Sequence, residues 1–140
     1  MSRITLKASQ IWAFARRSLR YPIFDSLYPN TTATASATAN TFGSWVQISA
    51  NIGTSKKLYQ VEVVPIAQQN ANRSIEFEIG EGAGGSEVAV ARGGFSMTVA
   101  GLAAEFIAIV IPIEVNLTNS ARVSVRVRNS EAAANTYSFH

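Results

Sequence analysis

The sequence has no cysteine and a single histidine, His140, the last of its 140 residues. Without cysteine there is no disulfide framework, thiolate zinc site, iron–sulfur ligation or cysteine nucleophile. With one histidine, a Ser-His-Asp triad or a multi-histidine metal centre lacks its parts. Charge is scarce too, at 15% of residues against about 25% in an average soluble domain. The longest apolar run, Phe106–Ile113, is far short of the roughly 20 residues that a membrane-spanning helix needs. These absences weigh against a metalloenzyme, a histidine-dependent hydrolase and a helical membrane protein. The expectation is a non-enzymatic structural or binding protein, with no catalytic residue, metal or cofactor.

Hydrophobic side chains make up 47% of the chain, enough for one core at a length that suits a single domain. The net charge of +3 is unevenly placed. Arg3, Lys7, Arg16, Arg17 and Arg20 give the first twenty residues +5 with no acid, which leaves −2 on the rest. Such a basic head suits phosphate, an anionic surface or an acidic protein groove. It is not a secretory signal, because the apolar stretch Ile11–Ala15 is short and Arg16-Arg17 follows at once.

Residues 4–20 are predicted to be a basic amphipathic helix. Ile4, Ala8, Ile11, Trp12, Ala15 and Leu19 recur at helical spacing and fill an arc of about 100°. Phe14 falls among the basic residues, and Pro22 ends the segment. A helix this short is marginal alone in water, so it must pack on something. Ile11, Trp12, Phe14, Arg16, Arg17, Leu19 and Arg20 are therefore the candidate partner-binding residues. The apolar side chains would fill a groove and the arginines would set orientation. Trp12 with Arg16 and Arg20 also allows a nucleic-acid contact, a weaker reading because Trp12 lies in the apolar arc.

The run Asn30–Thr41, NTTATASATANT, has neither charge nor a bulky side chain. It is expected to be an extended linker, so that residues 1–43 form an anchoring arm and 44–140 a body. From Ser44 on the hydrophobic period changes to two. Val46/Ile48/Ala50/Ile52, Tyr59/Val61/Val63, Ile75/Phe77/Ile79, Val88/Val90, Phe95/Met97/Val99, Val123/Val125/Val127 and Tyr137/Phe139 mark strands. Phe106–Val115, nearly all apolar, is expected to be a strand covered on both faces. The sum is an all-β, eight-stranded, jelly-roll-like β-sandwich preceded by the arm. The pattern Thr136–His140 has no closing turn after it, as expected if the natural chain continues.

Gly80, Gly82 and Gly85 match a dinucleotide-binding spacing, but Glu81 and the strand-like residues after them favour a hairpin loop. Gly93-Gly94 is expected to be a turn. Glu76, Glu78, Glu81 and Glu87 form the one acidic cluster; the favoured reading is a solvated strand face opposite Arg122, Arg126 or Arg128. Three Asn-x-Ser/Thr triplets carry little weight in a chain so rich in Asn and Thr.

Two stretches, Phe77–Ala91 (FEIGEGAGGSEVAVA) and Ile111–Phe139 (with PIEVNLTNSARVSVRVRNSEAAANTYSF), resemble a module of tailed-bacteriophage virion proteins. In that module a strand ends in a glycine-rich turn, and an apolar strand, a proline-containing segment and an Arg-x-Ser-x-Arg-like strand follow. The resemblance covers roughly residues 44–140 and departs at Leu117–Arg122. It implies a tail or collar fibre or a head decoration protein, found in the virion and usually trimeric. The function expected is a fibre or fibre-attachment domain that docks on other virion proteins through residues 1–43. The alternatives are a head decoration (cement) protein and a carbohydrate-binding receptor-recognition module.

Overall fold

A computed structural model describes residues 31–54, 56–66, 71–98 and 108–140. The helix expected over 4–20 and every candidate anchor residue, Ile11, Trp12, Phe14, Arg16, Arg17, Leu19 and Arg20, lie outside the described residues.

The described chain is all-β. Its strands are β1 (Thr31–Thr34), β2 (Val46–Ser49), β3 (Lys56–Pro65), β4 (Arg73–Glu81), β5 (Val88–Met97), β6 (Ile109–Leu117), β7 (Val123–Asn129) and β8 (Thr136–Phe139). They form two four-stranded antiparallel sheets, β1-β8-β3-β6 and β2-β7-β4-β5. The first strand pairs with the last, the second with the seventh, the third with the sixth and the fourth with the fifth. The chain is in effect one long hairpin, turned at β4–β5 and folded over into two layers. No described helix is long and apolar enough to cross a membrane.

Alternation decides which side chains enter the core. Ile75, Phe77 and Ile79 of β4 and Val123, Val125 and Val127 of β7 are all buried. They meet Val61 and Val63 of β3 and Tyr137 and Phe139 of β8 from the other layer. Phe77 and Phe139 bridge the layers edge to face, with centroids 5.5 Å apart, a favoured aromatic geometry. Arg73 at the start of β4 is buried and ion-paired with Glu131 at 2.9 Å, which ties this end of the sheet to the β7–β8 connection.

The strand count agrees with the sequence expectation, but the membership differs twice. The linker expected over 30–41 contains β1, where Thr31 and Ala33 are buried and Thr31–Thr34 pair with Phe139–Thr136. The arm–body boundary at 43/44 therefore moves toward the N-terminus, since residues 31–43 belong to the sandwich. Small Thr and Ala side chains suit a strand laid at the edge of a filled core. Conversely, Val88/Val90 and Phe95/Met97 are one strand, not two. Gly93 and Gly94 lie inside β5 instead of at a turn, facing Phe77 and Glu76 in register. A Cβ on Gly93 would come 2.5 Å from the Phe77 ring, so the bare position makes room for a core aromatic.

A third difference concerns β6. Its residues alternate, with Ile111, Ile113 and Val115 half-buried and Val110, Pro112 and Glu114 exposed, so it is not covered on both faces. The cause is topological: among the described residues no layer lies above the outward side of the β1-β8-β3-β6 sheet.

Candidate functional site

The outer face of the β2-β7-β4-β5 sheet carries the densest polar chemistry among the described residues. On β4 the residues between core positions are Glu76 and Glu78. Their partners in register are Arg128 and Arg126 on β7, and Gly94 and Arg92 on β5. Opposite residues in antiparallel strands share a face, so three guanidinium groups converge on two carboxylates. Arg126 Nε donates to Glu78 Oε2 at 2.7 Å, and Arg92 Nε donates to Glu78 Oε1 at 3.0 Å with Nη2 also against it. Arg128 donates to Glu76 Oε2 from Nε at 3.1 Å and from Nη2 at 2.6 Å.

Two aromatics from the segment before β2 lie over this ladder. The Phe42 ring has the guanidinium carbons of Arg126 and Arg128 at 4.6 and 4.7 Å from its centroid, and Arg92 at 6.0 Å. Arg126 also lies 4.4 Å from the Trp45 ring, and Trp45 covers Gly80. The strap that brings these rings in is held by its backbone: Asn40 N–H donates to Asn129 O at 2.8 Å and Gly43 N–H to Val127 O at 2.9 Å. Arg128 Nη1 donates to Asn40 O at 3.2 Å. Asn40 has φ 59°, in the left-handed region that Asn tolerates better than most residues.

Covering changes the electrostatics. The Glu78 side chain is only 2% exposed. Burial pushes its carboxyl pKa up, but hydrogen bonds from Arg92 and Arg126 and their positive charge outweigh that and hold it below the ordinary carboxylate value. The expectation that Glu76 and Glu78 face arginines holds for Arg126 and Arg128. The expected solvation does not hold for Glu78, which is buried because a strap distant in sequence crosses the face.

The other two glutamates stand apart from this pair. Glu87 accepts from Arg122 Nη1 at 2.5 Å and from Gly85 N–H at 2.8 Å. The bond from Arg122 is the largest influence on its carboxyl, holding it below the ordinary value against a smaller opposing effect of burial. Glu81 accepts from Thr118 N–H at 2.5 Å and from its hydroxyl at 2.7 Å, joining the β4 end to the β6–β7 turn. Gly82 and Gly85 lie in the β4–β5 hairpin connection expected for this stretch, at φ 128° and 83°, whereas Gly80 lies inside β4.

An open groove of about 660 Å³ flanks the ladder, bordered by Asn40, Ser74, Glu76, Arg92, Gly94 and Ser96. Beside it, the Arg92 side chain is 60% exposed. Each carboxylate of the ladder is ion-paired, and no described group of three or more His, Cys, Asp or Glu is placed to hold a metal. These ion pairs join β4 to β5 on one side and to β7 on the other. The rings of Phe42 and Trp45 were not singled out by sequence reasoning. The available signal was Gly80, a glycine at an outward position inside a strand, which marks a close approach by another group.

Compared with protein-family models, curated proteins and solved structures, the chain matches none.

Proposed function

We propose that the chain is a non-enzymatic virion structural protein: an eight-stranded jelly roll that serves as a fibre or fibre-attachment domain and docks on the particle through its N-terminal arm. The observation that carries this reading is the nested pairing of β1 with β8, β2 with β7, β3 with β6 and β4 with β5. Nested antiparallel pairs divided between two four-stranded sheets are the strand order of a jelly roll, an architecture frequent in viral capsid and lectin domains. The polar chemistry supports the same reading, because the Glu76–Glu78 ladder is used internally to fasten strands and strap. The carbohydrate-binding alternative gains less, since Phe42 and Trp45 are occupied by arginines.

The test is particle incorporation. Mass spectrometry of purified particles is expected to find the full chain, and a chain lacking residues 2–29 is expected to fold but be missing from particles. Normal incorporation of the truncated chain removes the anchor role. Absence of the full chain from particles removes the virion reading altogether.

A further inference from the structure

The two outer faces of the sandwich differ. Over the β2-β7-β4-β5 sheet lies the strap with Phe42 and Trp45, and Glu76 and Glu78 beneath it are ion-paired. Over the β1-β8-β3-β6 sheet lies no described layer, and part of its outward surface is apolar. Register sets Val64 of β3 beside Ser138 of β8, Glu62 beside Val110 of β6 and Gln60 beside Pro112. Ile66 follows directly after β3. Val110 is 51% exposed and Ile66 40%. Among these residues Glu62 is half-buried, yet its carboxylate makes no ion pair or hydrogen bond with a described residue.

We infer that in the free protein this face is the docking surface for the chain's own N-terminal segment, residues 4–20. Three observations point to that segment as the occupant. The first is where it enters. The thirty residues before Thr31 lead into β1, an edge strand of this same sheet. Residues 21–30 span at most about 35 Å, while β1 and β6 lie about 14 Å apart at three strand spacings. A helix over 4–20 would be about 25 Å long, shorter than the ten residues of β3, which run about 33 Å. The second is charge. The charged side chains on outward positions of the sheet are Glu62 and the Lys57–Glu114 pair, one cation against two carboxylates. The segment and its flank bring Arg3, Lys7, Arg16, Arg17 and Arg20 with no acid. A half-buried carboxylate without a cation is unfavourable, and a guanidinium laid over Glu62 would relieve it. The third is apolar need. Ile11, Trp12 and Leu19 form the stripe of a helix too short to be stable in water alone, and Val64, Ile66, Val110 and Pro112 offer it a surface. Ser138, which points outward from β8 between these residues and β1, is only 6% exposed, as expected of a strand with something over it.

The inference concerns the free chain and goes beyond the virion reading: docking on a particle would exchange one apolar surface for another. The test is a photo-crosslinking residue at position 110 of the full chain, with the product mapped by mass spectrometry. The link is expected to run to residues 1–30 of the same chain, at the mass of one chain on a denaturing gel. Hydrogen exchange supplies a second measurement, in which the amides of residues 4–20 are expected to be protected. Glu62→Lys and Val110→Arg are each expected to lower that protection about tenfold or more, with an unchanged strand-type circular dichroism spectrum. Val88→Arg, at an exposed position on the other sheet, is the control and is expected to keep it. No link, a link to residues 99–107, a link between two chains, or protection that neither face variant lowers overturns the inference. A protected segment in a chain that is missing from particles sinks the virion reading alone; an unprotected segment in a chain that enters particles sinks this inference alone.

Discussion

The indole of Trp45 lies against the bare α-carbon of Gly80, so closely that a Cβ there would come 2.7 Å from its Cη2 atom and 2.8 Å from Cζ3. This contact seats the ring on the sheet beside Arg126. Gly80→Val is therefore expected to displace Trp45 and destabilise the fold by about 1–3 kcal/mol, the usual cost of overpacking. Urea unfolding followed by tryptophan fluorescence measures it, and an unchanged midpoint contradicts the contact.

Glu78 holds Arg126 and Arg92 together, and Arg92 also lies 3.0 Å from Glu76, which Arg128 engages as well. Removing one member of a buried pair typically costs about 3–5 kcal/mol. Arg92 and Arg126 both keep some solvent contact, so Glu78→Gln is expected to cost less, about 2–3 kcal/mol. Chemical denaturation of wild type and variant at neutral pH gives the difference.

Acid should weaken the fold through the same groups. Glu78 and Glu87 both have folded-state pKa values below the ordinary 4.5, so between those values the unfolded chain binds more protons than the folded one. Stability is expected to be level above about pH 5 and to fall as pH drops through 4.5 and on through the folded values. The double variant Glu78→Gln/Glu87→Gln should start less stable and show a shallower decline. Urea midpoints from pH 7 to pH 3 test this, and equal slopes refute it.

Gly43 is where the strap passes β1, and a Cβ there would lie 1.9 Å from the backbone oxygen of Thr34. Backbone cannot swing aside as a side-chain tip can. Gly43→Ala is expected to cost more than about 2 kcal/mol and to loosen the Phe42 and Trp45 cover. Reduced protection of the Gly43 and Asn40 amides in hydrogen exchange would report the loosening.

Much of the fold was legible in the sequence wherever one face is polar and the other apolar. Ile75/Phe77/Ile79 and Val123/Val125/Val127 are such cases, and they became the core of one sheet. Thr31–Thr34 was illegible because small Thr and Ala side chains carry no contrast between faces, yet the edge of a filled core accepts them. Gly93-Gly94 misled because glycine marks a turn and a close approach alike, and here Phe77 required the space. The site divided in the same way. That Glu76 and Glu78 would meet Arg126 and Arg128 follows from alternation on two strands. That Phe42 would stack on the arginines that bind Glu78 does not, because the strap that carries it lies more than thirty residues away.

By itself, then, the sequence determined the period-two pattern, the inward side of most strands and the lack of any cysteine, since each is a property of residue type and spacing along the chain. Only the tertiary structure decided which strands are neighbours and that the outer charges of one sheet lie under a strap. Those outcomes depend on contacts between distant segments, whose energies arise only once the long hairpin has folded into two layers.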